Sequence, residues 1–221
     1  MRMHKKGHLE ERLLSCAEIL TVCDLSDKNM KSAAKVKDYL DFEEIFKNGN
    51  PVHLEIGCGK GKFVCGLAKM QPDINFVACE KVSNVIIDAC ECALRENIKN
   101  VRFLNSAAEV LERYFRPNTV EKIYLNFSNP LPKEGYKKQR LTHPKFLEIY
   151  RAILKDGGKI VQKTDDKDFY LFSLESYRAA GYKILETCED YAVPLSGDVE
   201  TEHERLFKER GKNIYRIVAE V

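Results

Sequence analysis

The sequence predicts an α/β fold: a mostly parallel seven-stranded sheet with helices on both faces and an antiparallel last strand. Short β-rich runs alternate with amphipathic helical stretches from Pro51 onward, a glycine-rich turn closes the first of these runs, and two further strand-like runs end the sequence. The 221 residues are expected to form a single domain, 1–221, with a helical lead-in over 1–50 and an α/β core over 51–221.

Leu9, Leu13, Ala17 and Leu20 have helical spacing, and Val36 to Phe46 carries a weaker helical stripe. Core strands are expected at Val52–Ile56, Asn75–Cys79, Val101–Leu104, Lys122–Asn126 and Lys159–Lys163. Crossover helices lie between them. Val82, Val85, Ile86, Ala89 and Ala93 share one helical face, and Thr142, with Pro144 in the first turn, opens a helix that Gly157-Gly158 is expected to stop. Asp168 to Ala180 and Thr201 to Arg210 read as helices, Tyr182 to Glu189 and Ile214 to Val221 as strands.

Composition narrows the function. Lys+Arg 36 against Asp+Glu 34 leaves a net charge of +2, too balanced for binding a polyanion over the whole surface, so such a partner must meet a local patch. No apolar run approaches the roughly 18 residues of a membrane span. The basic start is interrupted by Glu10, Glu11 and Arg12, so no signal peptide is expected and the cytoplasm is the expected compartment. The 8 cysteines mostly sit in apolar runs and read as reduced core residues. Cys90-x-Cys92 lacks the second pair a zinc site needs, so no metal is expected.

Leu54-Glu-Ile-Gly-Cys-Gly-Lys-Gly-Lys62 runs a strand through alternate glycines, Gly57, Gly59 and Gly61, into a helix beginning near Lys62. Glycines there let a ligand approach the backbone. The dinucleotide fingerprint needs its third glycine one residue later, where Lys62 stands, which favours S-adenosylmethionine, a cofactor without pyrophosphate. Glu80, 23 residues after Gly57, ends the second core strand, where a carboxylate accepts ribose hydroxyls. Glu55, inside a buried strand, needs a partner, and a cationic cofactor supplies one.

After the fourth core strand, Leu125-Asn-Phe-Ser-Asn-Pro-Leu-Pro-Lys133 leaves the carboxyl edge of the sheet, where ligands bind in open α/β folds. Lys133-Glu-Gly-Tyr-Lys-Lys-Gln-Arg140 follows, with four cations and an aromatic suited to RNA phosphates and stacking. His203-Glu204-Arg-Leu-Phe207 lacks the second histidine of a zinc-protease helix, and His53 reads as an interior hydrogen-bonded residue.

Six ordered motifs resemble the bacterial tRNA (guanine-N7-)-methyltransferases: Leu54-Glu-Ile-Gly-Cys-Gly-Lys-Gly61, Tyr124-Leu-Asn-Phe-Ser128, Pro130-x-Pro-Lys133, Arg140-Leu-Thr142, Lys163-Thr-Asp165 and Thr201-Glu-x-Glu204. The resemblance covers nearly the whole chain. It implies a Rossmann-like class I S-adenosylmethionine-dependent methyltransferase, with tRNA as partner and N7 of a variable-loop guanosine as methyl acceptor. The implied cofactor residues are Glu55, Gly57, Gly59, Gly61, Glu80, Ser106, Ala107 and Asn129, with Asn129 also in the catalytic position. The implied substrate residues are Lys133, Lys137, Lys138, Arg140, Asp165, Thr201, Glu202 and Glu204. A monomer or homodimer is expected. Ala107 and Asn129 stand where the family usually carries acidic residues, the latter an aspartate. Other readings are methylation of another base or of a small molecule, a non-catalytic RNA-binding protein, and a nicotinamide dehydrogenase, which Lys62 disfavours.

Overall fold

The computed structural model describes residues 6–22, 36–191 and 199–221. Among them, eight strands form one sheet: β1 (Leu20–Val22), β2 (Val52–Ile56), β3 (Asn75–Cys79), β4 (Val101–Asn105), β5 (Val120–Asn126), β6 (Leu154–Thr164), β7 (Lys183–Cys188) and β8 (Tyr215–Glu220). Their order is β1-β4-β3-β2-β5-β6-β8-β7. All pairings are parallel except those of β8, which lies antiparallel to β6 and β7. From β2 the chain winds outward to β4 and then returns to β5 on the other side. The switch point therefore lies between β2 and β5, and a ligand crevice is expected at their carboxyl ends.

Strand periodicity sorts the core into two layers. Leu54, Ile56, Val77, Leu104, Ile123 and Leu125 face one side, under the helices α5 (Leu111–Tyr114), α6 (Pro144–Ile153) and α7 (Lys167–Ala179). Phe76, Ala78, Val101, Phe103 and Tyr124 face the other, under α1 (Leu9–Ser15), α3 (Lys62–Met70) and α4 (Ser83–Arg95). The amphipathic stripes of α3, α4 and α6 direct Val64, Leu67, Ile86, Ile87, Leu147 and Tyr150 inward, each at most 1% exposed.

Three expectations are corrected. The lead-in helix stops at Ser15, and Leu20–Val22 instead pairs with Phe103, Leu104 and Asn105, giving an eighth strand where seven were expected. The helix expected from Val36 is confined to α2 (Phe42–Phe46), because the Asp41 side chain caps the Glu44 N–H and starts the first turn there. Gly157-Gly158 does not stop α6: the helix ends at Ile153, and Gly157, at φ 72°, sits in a bulged stretch between the β5–β6 pairs Val120–Leu154 and Lys122–Lys159. The last helix, α8 (Glu202–Glu209), opens on a reciprocal capping box between Thr201 and Glu204.

Gly61 caps α3 at φ 76°, and a Cβ there would lie 2.5 Å from the Ala89 Cβ on α4. Gly61→Ala is expected to lower stability by roughly 2–4 kcal/mol, combining left-handed strain with overpacking, measured as a shift in urea midpoint at unchanged m-value.

Candidate functional site

A cleft of about 350 Å³ opens at the switch point, walled by Gly57, Glu80, Ser106, Glu109, Asn126 and Asn129 and floored by Ile56, Cys79, Leu141 and Phe146. The wall residues arrive from the carboxyl ends of four neighbouring strands, β2 to β5, and Leu141 and Phe146 from the start of α6 and the segment before it. Two other hollows lie away from this edge, one at the amino ends of the strands around Asn48 and Asn75, one between α3 and α4.

The glycine turn is shaped for close approach. Gly57 and Gly59 have φ 79° and 57°, and the Gly57 and Cys58 N–H groups both donate to the Cys79 carbonyl. Glu80, half-buried at the end of β3, accepts from the Val82 N–H at 2.9 Å and the Gly59 N–H at 3.4 Å. Its backbone carbonyl accepts from the Asn105 amide, fixing β3 to β4 at the cleft. Ala107 lies outside the wall, which Ser106, Ala108 and Glu109 form in its place; Glu109 has no motif signal, because its spacing from β4 fits none.

Glu55 is 3% exposed on the α3 side of β2. Its Oε1 accepts from the Asn126 Nδ2 at 3.1 Å, and no ion pair reaches it among the described residues. Burial pushes its carboxyl up to about 7, while the Asn126 amide, the Val64 backbone N–H and Lys163 pull the other way. Glu55 Oε2, Asn126 Oδ1 and Ser128 Oγ are all buried without a hydrogen-bond partner. Asn126 and Ser128 line the cleft and the Glu55 carboxyl lies behind Asn126, so this corner offers polar atoms to a polar or cationic ligand. Asn126 escaped the sequence reading; its signal was its place at the end of the strand paired with β2.

The following loop is held in a constrained shape. Phe127 and Leu131 have left-handed backbones, φ 49° and 47°, and between them the exposed Asn129 turns its Oδ1 back to accept from the Leu131 N–H at 3.1 Å. Asn129 lines the cleft, and its Nδ2 has no partner among the described residues.

The basic segment is less uniform than its sequence. Lys133 and Lys138 are exposed, and Lys137 pairs with Glu134 at 3.2 Å. Arg140 is 8% exposed; its Nε and Nη2 donate to the Leu131 carbonyl, and its guanidinium lies 4.5 Å above the Phe172 ring. Burial and these contacts make Arg140 the clamp of the Asn129 loop. Thr201 and Glu204 are likewise interior. Glu204 spends Oε2 on the Thr201 N–H and Oε1 on Lys163 Nζ at 3.2 Å, both members of the ion pair being 1% exposed. They dock α8 to β6. Asp165 is bound by Lys212 at 2.6 Å, and the Glu202 side chain lies outside the described residues. His53 is interior as expected, beside the Tyr124 hydroxyl, and burial lowers it to about 3, keeping it neutral. Among the described residues the cysteines are free and no side-chain cluster fits a metal. No helix there is long and apolar enough to cross a membrane.

Glu55 makes stability pH-dependent. Its folded value near 7 exceeds the ordinary 4.5, so the folded state holds the extra proton. Its contribution is complete below about pH 4.5 and is lost as pH rises through 7, by about 3 kcal/mol. Urea denaturation of the ligand-free protein is expected to show this loss between pH 5 and 8, and Glu55→Gln to remove it.

The family model described as "Putative methyltransferase" matches residues 49–217. A tRNA (guanine-N(7)-)-methyltransferase of Alkaliphilus oremlandii is 41% identical over 177 residues, 80% of this chain and 84% of that protein. The protein of the same name from Streptococcus thermophilus is 36% identical over 221 residues, 100% of this chain and 99% of its own. Among solved structures, a 16S rRNA methyltransferase superposes with TM-score 0.61 at 14% identity, over 90% of this chain and 95% of that one. A SAM-dependent methyltransferase from Aquifex aeolicus superposes with TM-score 0.55 at 16% identity, over 90% and 100%. These structural matches share the α/β fold. Ordered motifs, the switch-point cleft and the relatives agree: the chain belongs to the bacterial tRNA (guanine-N7-)-methyltransferase family.

Proposed function

We propose that this protein transfers the methyl group of S-adenosylmethionine to N7 of a variable-loop guanosine in tRNA. The observation that carries the reading is the polar corner of the switch-point cleft, where Asn126 and Ser128 line the wall with Oδ1 and Oγ unpartnered and the buried Glu55 carboxyl backs Asn126. An acceptor-rich, buried site with one carboxylate fits a ligand that brings ammonium and sulfonium charge. Glu80 supplies a carboxylate for the ribose hydroxyls, and the Gly57–Gly61 turn lets the cofactor lie against the backbone. Bound there, S-adenosylmethionine supplies the electrophilic methyl group.

Guanine N7 carries a lone pair and no proton, so its attack needs no general base. The protein's task is alignment, together with a tolerable field for the positive charge that passes to the purine. The Asn129 turn, clamped through Leu131 by Arg140, sets that geometry. The test is incubation with methyl-labelled S-adenosylmethionine and unmodified tRNA, followed by digestion to nucleosides. Label in 7-methylguanosine is expected; label in another nucleoside moves the acceptor, and binding of both ligands without transfer leaves an RNA-binding protein.

Asn129 offers no negative charge, so Asn129→Asp is expected to raise the single-turnover rate. Asn129→Ala is expected to lower it about tenfold, the worth of one positioned polar contact. On the RNA side, Lys133 and Lys138 are the exposed cations. Replacing both with alanine is expected to flatten the slope of log affinity against log salt by about 1.4, at roughly 0.7 per phosphate. Arg140→Ala is expected to leave that slope unchanged and lower thermal stability instead.

A further inference from the structure

Phe127, part of the cleft wall, stacks its ring on the imidazole of His203, with centroids 5.6 Å apart and planes 20° apart. Phe207 completes the group, 5.6 Å from Phe127 and 6.0 Å from His203. His203 and Phe207 are four residues apart and so share one face of α8. None of the three belongs to either hydrophobic core, and exposure rises outward, from the half-buried phenylalanines to the exposed imidazole. The stack therefore leads from the cleft to solvent.

The chain commits heavily to holding it there. Glu204, next to His203, is anchored by the buried Lys163 and by its capping box. At the other end Phe127 takes a left-handed backbone, φ 49°, which costs a non-glycine residue roughly 1–2 kcal/mol. Packing does not account for an aromatic edge fixed at the rim in this way, since a solvated imidazole adds nothing to a core.

We propose that the outer face of His203 is a stacking platform for the nucleobase flanking the one that enters the cleft. The inference rests on the RNA-methylating reading above. A base that turns into the cleft loses its stacking with its neighbour, and an aromatic face beside the entrance replaces it. Phe127 lines the cleft and His203 does not, so the histidine serves the neighbour and Phe127 links the two positions.

The test uses the full chain and transcribed tRNA carrying 2-aminopurine on either side of the target guanosine. Binding to the wild type is expected to quench fluorescence at one of the two positions. His203→Leu is expected to abolish the quenching and raise KM for tRNA roughly tenfold, with kcat and cofactor affinity unchanged, whereas His203→Phe and His203→Tyr retain both. A merely structural histidine would lower kcat or melting temperature without moving KM, and that result overturns the proposal. So does unchanged KM and quenching in a folded His203→Leu. If the wild type moves no methyl group to tRNA, the functional reading itself fails, and this one with it.

Discussion

Everything at the carboxyl edge of this sheet answers to one buried carboxylate. Glu55 occupies a central parallel strand, where apolar residues are the rule and an unpaired charge is expensive. Asn126, on the neighbouring strand, meets it from one side, and burial holds the group near neutrality in proton terms, poised between its two forms at about 7. A cation bound beside it would remove a penalty that the folded chain otherwise carries.

The second organising device is backbone constraint in the segment after β5. Two left-handed residues four apart, Phe127 and Leu131, force the chain to double back, and Asn129 projects from the bend. Arg140 grips the Leu131 carbonyl, Phe172 grips Arg140, and α8 grips Phe127 through His203 and Phe207. The loop that bears Asn129 is thus held from both flanks by contacts in different parts of the chain. Such fixing suits a reaction in which alignment outweighs proton transfer.

Much of this was legible in the sequence, and the reasons differ by residue. Strands β2 to β5 were readable because apolar runs bounded by glycine, proline and asparagine carry their own boundaries. The glycine turn was readable because alternate glycines after a strand permit the left-handed backbone found at Gly57 and Gly59. Strand β1 was not, since Leu20–Val22 is too short to show a period and earns its conformation only by pairing with Phe103 to Asn105. The inward contacts of Arg140, Thr201 and Glu204 were not legible, because their residue types suit a surface contact with substrate equally well. Only burial and partner geometry reveal that an arginine near lysines serves a carbonyl, or that a glutamate at a helix start serves a lysine forty-one residues away in sequence.

The sheet's two margins carry a consequence for how the molecule keeps to itself. An open sheet exposes unpaired N–H and C=O groups along its outer strands, a template for addition of strands from other chains. Among the described residues, one margin is closed by β1, 3 residues long, beyond β4. The other is β7, which carries Lys183 and Glu186 and loses register with β8 between Ile184 and Glu186. One margin is too short to template a partner, and the other is charged and bent. The small, easily overlooked eighth strand thus guards the longer, apolar β4 behind it from edge-to-edge aggregation.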